Sequence, residues 1–152
     1  MMEKEEQARK KFIEGRNCAQ AVFATFAPEL GVDEATALKI ASSFGGGIGR
    51  LREVCGAFSG LCMIAGLVKG YADNETPEEK TAHYALIQEL AAKFKKEHVS
   101  LICREILQLK KDAPTPPMPE ERTARYYSNR PCERCVGTAA RLCEELIKES
   151  KK

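Results

Sequence analysis

The sequence predicts an all-α protein: a bundle of five to six helices around a central, small-residue-rich helix over about 53–71. Three observations carry this. Apolar residues recur three and four apart in several segments, the period of one helix face. Helix-start signals recur along the chain at Asn17, Asp33 and Thr76. No segment shows the strict alternation of a strand, and there is no internal repeat.

The central segment, from Phe44 to Tyr71, opens on Gly45, Gly46, Gly47 and Gly49. An apolar run follows, with Gly56 and Gly60, then Gly66 and Gly70, each pair four apart. Such pairs share a helix face and let another backbone approach closely. Each helix-interior glycine costs about 1 kcal/mol relative to alanine, so close packing or a bound group must compensate. The uncharged run from Val54 to Val68 is shorter than the ~20 residues a bilayer demands, and Glu53 and Lys69 bound it. It reads as a buried core helix and not a membrane span.

The other elements follow in order. Glu3 to about Glu14 is a charged helix that Gly15 interrupts. Asn17 caps a run through Phe26 with Cys18, Ala21, Val22 and Phe26 on one face, and Pro28 ends it. Leu30-Gly31-Val32 is a turn, and Asp33 caps a helix to about Ser43. After a polar loop over 72–75, Thr76-Pro77-Glu78-Glu79 opens a helix that runs to about His98. Ser100 caps a short helix carrying Cys103. Ala113 to Pro119 is an extended, proline-rich surface connector. Glu120 to Tyr127 is a helical turn, and Pro131 starts the last helix.

The 152 residues suit a single domain, 1–152, with a real core. Hydrophobic content of 43% and charged content of 30% fit a globular protein. A net charge of +2 and the lack of tryptophan argue against nucleic-acid binding. The charged N-terminus has no apolar leader, so the expected compartment is the cytoplasm.

Seven cysteines stand out: Cys18, Cys55, Cys62, Cys103, Cys132, Cys135 and Cys143. A reducing compartment disfavours structural disulfides, which shifts weight to metal ligation or thiol redox work. Cys62 and Cys143 read as small buried apolar residues. Cys55 and Cys62 lie roughly 10 Å apart along one helix, too far to bond or to share an ion. Cys132 and Cys135 form a C-x-x-C at a helix start, able to chelate a metal or to form a reversible disulfide. If Cys18, Cys55 and Cys103 converge with one of them, four thiolates and the N–H groups of the glycine loop make an iron–sulfur site.

The segments NCAQAV (17–22), FGGGIGR (44–50), VCGAFSG (54–60) and CREIL (103–107), with Cys132 and the alanines at 139–140, resemble the redox-active proteins named for a C…GCAxxG…C…C signature. The likeness runs in order over nearly the whole chain. It implies Cys18, Cys55, Cys103 and Cys132 as hallmark cysteines, with Cys135 as an alternative fourth. It also implies a helical redox protein, similar to the [2Fe–2S] domain of split-Soret cytochromes. No C-x-x-C-H is present, so covalent haem is not expected.

The expectation is therefore an electron-transfer protein holding a [2Fe–2S] cluster on Cys18, Cys55, Cys103 and Cys132, with Gly45, Gly46, Gly47, Gly49 and Gly56 against the cofactor. The alternatives are a metal-free thiol–disulfide protein using Cys132 and Cys135, or a zinc-stapled structural protein. The glycine loop is neither a phosphate loop nor a dinucleotide fingerprint. Arg50 and Arg52 either offset thiolate charge or lie in solvent. His83 and His98 are too far apart to share a ligand. Arg122, Arg125, Arg130 and Arg134 with Tyr126 and Tyr127 either dock an acidic redox partner or form a solvated face. The small-residue faces fit a homodimer or tight packing within one chain.

Overall fold

The computed structural model describes residues 3–73 and 76–152. Its α-helices are α1 (Lys4–Ile13), α2 (Cys18–Phe26), α3 (Glu34–Ser42), α4 (Gly56–Lys69), α5 (Pro77–His98), α6 (Cys103–Ile106), α7 (Ala124–Asn129) and α8 (Cys132–Ser150). A 3-10 turn, Ala27–Leu30, follows α2 with Pro28 near its start. No strand forms among the described residues; one isolated antiparallel bridge pairs Val54 with Ile102. The all-α expectation holds, with more short helices than the sequence suggests. The polar loop expected at 72–75 lies partly outside the described residues.

The helix starts form as their residues dictate. The Asn17 side chain accepts from the Gln20 N–H, and the Gln20 side chain accepts from the Asn17 N–H. Thr76 and Glu79 make the same reciprocal pair at α5, with Pro77 at the first position. Each box satisfies two donors that the helix start leaves open.

Helix α4 packs on α2, α8 and α5, and α1 packs on α8. Phe26, Phe94, Leu61, Ile64, Val22 and Val136 fill the core between them. Gly56 and Gly60 face α2. A Cβ on Gly56 would lie 2.6 Å from the Cys18 sulfur, and one on Gly60 would lie 2.9 Å from Val22 Cβ. The second pair does not repeat this. Gly66 has nothing within 4 Å of an added Cβ, and Gly70 stops the helix. Close approach thus belongs only to the first half of α4, the half beside the cysteines.

Helix α4 begins at Gly56 and not near 53, because the backbone before it is used otherwise. The glycine loop winds left-handed: φ is +65° at Gly46, +74° at Gly47, +67° at Ile48, +54° at Gly49 and +62° at Arg50. Left-handed backbone costs non-glycine residues about 1–2 kcal/mol each, so three glycines in five make the run affordable. Residues after it pair with the segment before α6.

No helix among the described residues is long and apolar enough to cross a membrane.

Candidate functional site

Cys18 is the first residue of α2, Cys103 of α6 and Cys132 of α8, while Cys55 is the N-cap of α4. Four helix starts therefore bring these sulfurs to one place. Two of the segments are held side by side. The Cys55 N–H donates to Leu101 O at 2.7 Å, and the Cys103 N–H donates to Glu53 O at 2.6 Å. Gly47 lets Cys103 in, since a Cβ there would fall 2.7 Å from Cys103 Cβ. Gly45 makes room for the Asn17 side chain in the same way, and Gly49 has nothing within 4 Å of an added Cβ.

Five cysteines, Cys18, Cys55, Cys103, Cys132 and Cys135, line one pocket of about 60 Å³. Gly46, Gly56, Arg52, Arg130 and Tyr126 are among the other residues that line it. Cys18 and Cys132 are half-buried; Cys55, Cys103 and Cys135 are buried. Cys62 is half-buried and Cys143 fully buried, both away from this pocket in the hydrophobic core.

Four thiols of this pocket, Cys18, Cys55, Cys103 and Cys132, are pushed above their usual range. The Cys55 thiol is held well above its usual range, first by a hydrogen bond with the Cys135 thiol and then by burial. Loss of water around the sulfur pushes Cys18 up to about 12, helped by Cys55 and Cys103; the Gly46 N–H opposes it. Burial, then Cys18, Cys55 and Cys103, push Cys132 up to about 12. Cys103 is raised by burial as well, but Arg52 works against the shift. The Arg52 guanidinium donates to the Cys103 sulfur at 3.6 Å. Arg52 is itself 8% exposed, with φ of +63°.

The basic–aromatic region divides. Arg122 and Arg130 turn inward, and both guanidinium groups lie over the Tyr126 ring. Arg125 and Arg134 are exposed. The proline-rich connector is tied to the arginines beside the pocket. Arg50 donates to the carbonyls of Pro116 and Met118, and Glu120 accepts from Arg50, Arg52 and Arg130. Glu120 is the site residue that the sequence reading lacked. Its only signal was its place beside the arginine-rich stretch that begins at Arg122.

The fold and the pocket define an all-α protein with a buried, multi-thiol centre. The chain matches, over residues 16–146, the family described as putative redox-active protein (C_GCAxxG_C_C), and it belongs to that family. No curated protein and no solved structure matches.

The metal expectation is corrected by the donor geometry. Among the described residues, no group of three or more His, Cys, Asp or Glu side chains could hold a metal ion. That overturns both the [2Fe–2S] cluster, with the electron transfer it would carry, and the zinc staple. The physical reason lies in what each sulfur faces. Cys55 engages Cys135, Cys103 faces Arg52, and Cys18 takes the Gly46 N–H. The Cys132–Cys135 disulfide pair is corrected too. The Cys135 thiol acts on that of Cys55, while Cys132 feels Cys18, Cys55 and Cys103.

Proposed function

We propose that this chain is a two-electron thiol redox protein whose working pair is Cys55 and Cys135. The observation that supports it is that these two buried thiols, eighty positions apart in sequence, line one pocket walled by three further cysteines, with Cys135 the main influence raising Cys55. The pair would reduce a disulfide. One protein sulfur displaces a thiolate from the substrate, and a mixed disulfide forms. The other protein sulfur displaces the second thiolate and closes Cys55–S–S–Cys135. The two thiol protons leave on the two product thiols, so the protein gives up two electrons and two protons.

The raised Cys55 thiol keeps the pair reduced and slow at neutral pH, so exchange quickens as pH rises. Family membership agrees with redox work without naming a substrate.

Peptide mapping after mild oxidation tests the pairing. A disulfide joining the peptides of Cys55 and Cys135 is expected, lost in Cys135→Ser and kept in Cys132→Ser. Oxidation that joins other cysteines, or none, overturns the assignment.

A further inference from the structure

Outside the thiol pocket lies a second cavity of about 420 Å³, with Arg52, Arg130 and Gly46 in the walls of both. Four arginines, Arg50, Arg52, Arg122 and Arg130, line it against one carboxylate, Glu120. A single Glu120 oxygen, Oε1, serves three of them: Arg50 at 3.2 Å, Arg52 at 3.5 Å, and Arg130. Arg122 spends its N–H groups on the carbonyls of Phe12 and Arg16 and lies over the Phe12, Tyr126 and Tyr127 rings, so it takes no share of the Glu120 carboxylate. Four guanidinium groups against one carboxylate leave the cavity lining with a positive excess, which favours an anionic ligand.

Planar guanidinium groups match carboxylates in geometry as well as charge. The chain's own Glu120 shows the match, since it sits where a ligand carboxylate would be held. The proline-rich strap walls the cavity with Pro117 and Pro119, so the site is a recess and not a flat face. Its volume falls within the usual range of about 300–1,000 Å³ for small-molecule sites.

We infer that this outer cavity binds the carboxylates of a small, anionic disulfide and presents its sulfur atoms to the thiol pocket. The inference rests on the thiol redox reading above and names its substrate class. Electrons and protons move as already described: the bound disulfide becomes two carboxylate-bearing thiols as Cys55 and Cys135 join.

Two probes separate the inference from that reading. S-methylglutathione carries two carboxylates and cannot exchange. It is expected to bind reduced wild-type protein and Cys55→Ser alike, and about tenfold more weakly to Arg130→Ala, the size of one lost charged hydrogen bond. Circular dichroism checks that each variant is folded. Oxidised glutathione is expected to close the Cys55–Cys135 disulfide faster than cystamine, a cationic disulfide, and Arg130→Ala is expected to narrow that difference. Binding of S-methylglutathione without any disulfide closure sinks the redox reading and leaves the cavity assignment standing. Closure by both disulfides at equal rates, with no S-methylglutathione binding, overturns the cavity assignment alone.

Discussion

The Arg52 guanidinium donates a hydrogen bond to the Cys103 sulfur at 3.6 Å, from a position 8% exposed. A buried cation beside a thiol favours the thiolate, whereas the surrounding burial favours the thiol. Cys103 ends up raised, with Arg52 as the largest force against the rise. Replacing Arg52 with Met removes that force. The apparent pKa of Cys103, read from the pH dependence of its alkylation in a variant lacking the other pocket cysteines, is expected to move up.

Stability should fall in alkali. The Cys18 and Cys132 thiols lie near 12 in the fold against about 9 in the unfolded chain. Above pH 9 the unfolded chain loses these protons first, so the stability they contribute, whole below 9, drains away up to about 12. The slope is about 1.4 kcal/mol per pH unit for each thiol. Urea midpoints under reducing conditions between pH 8 and 10.5 check this. Cys18→Ser should flatten the decline.

Glycines of the loop and of the exposed face of α4 should differ in sign. Gly47 has φ of +74°, and a Cβ there would lie 2.6 Å from the Glu53 nitrogen. Gly47→Ala is expected to cost about 2–4 kcal/mol. Gly66 sits inside α4 with nothing within 4 Å. Gly66→Ala should stabilise by about 0.5–1 kcal/mol. Chemical denaturation of both variants measures the contrast.

Asn17 carries two duties. Its side chain caps α2 through the Gln20 N–H, and its Nδ2 donates to Ser42 O at 3.2 Å. Asn17→Ala should lower stability by about 1–2 kcal/mol. Because Cys18 follows directly, its alkylation should also speed up. An unchanged alkylation rate would show that the cap does not set the sulfur's surroundings.

Much of this architecture was legible in the sequence, since it is written in local chemistry. The caps at Asn17, Asp33 and Thr76 and the stop at Gly15 depend on neighbouring residues alone. Gly56 and Gly60 announced a close contact, although the chain does not say which helix answers it. The sulfur partners were not legible. Cys132 and Cys135 look like a pair because they are close in sequence, yet Cys135 lies one turn further along α8, where it meets Cys55. A rotation of the last helix by part of a turn decides between partners, and no local rule fixes that rotation. Glu120 was hidden for a similar reason. Its three arginines come from two segments, one of them about seventy residues away.

The strap from Ala113 to Glu120 contributes nothing to the hydrophobic core. It is fastened by polar grips instead: Arg104 on the carbonyls of Lys110 and Ala113, Arg50 on those of Pro116 and Met118, and the arginines around Glu120. Unhooking it breaks a few hydrogen bonds and exposes no apolar layer, so it can detach while the bundle stays folded. Moderate salt, which screens the Glu120 contacts, should loosen the cover well before heat melts the helices beneath it.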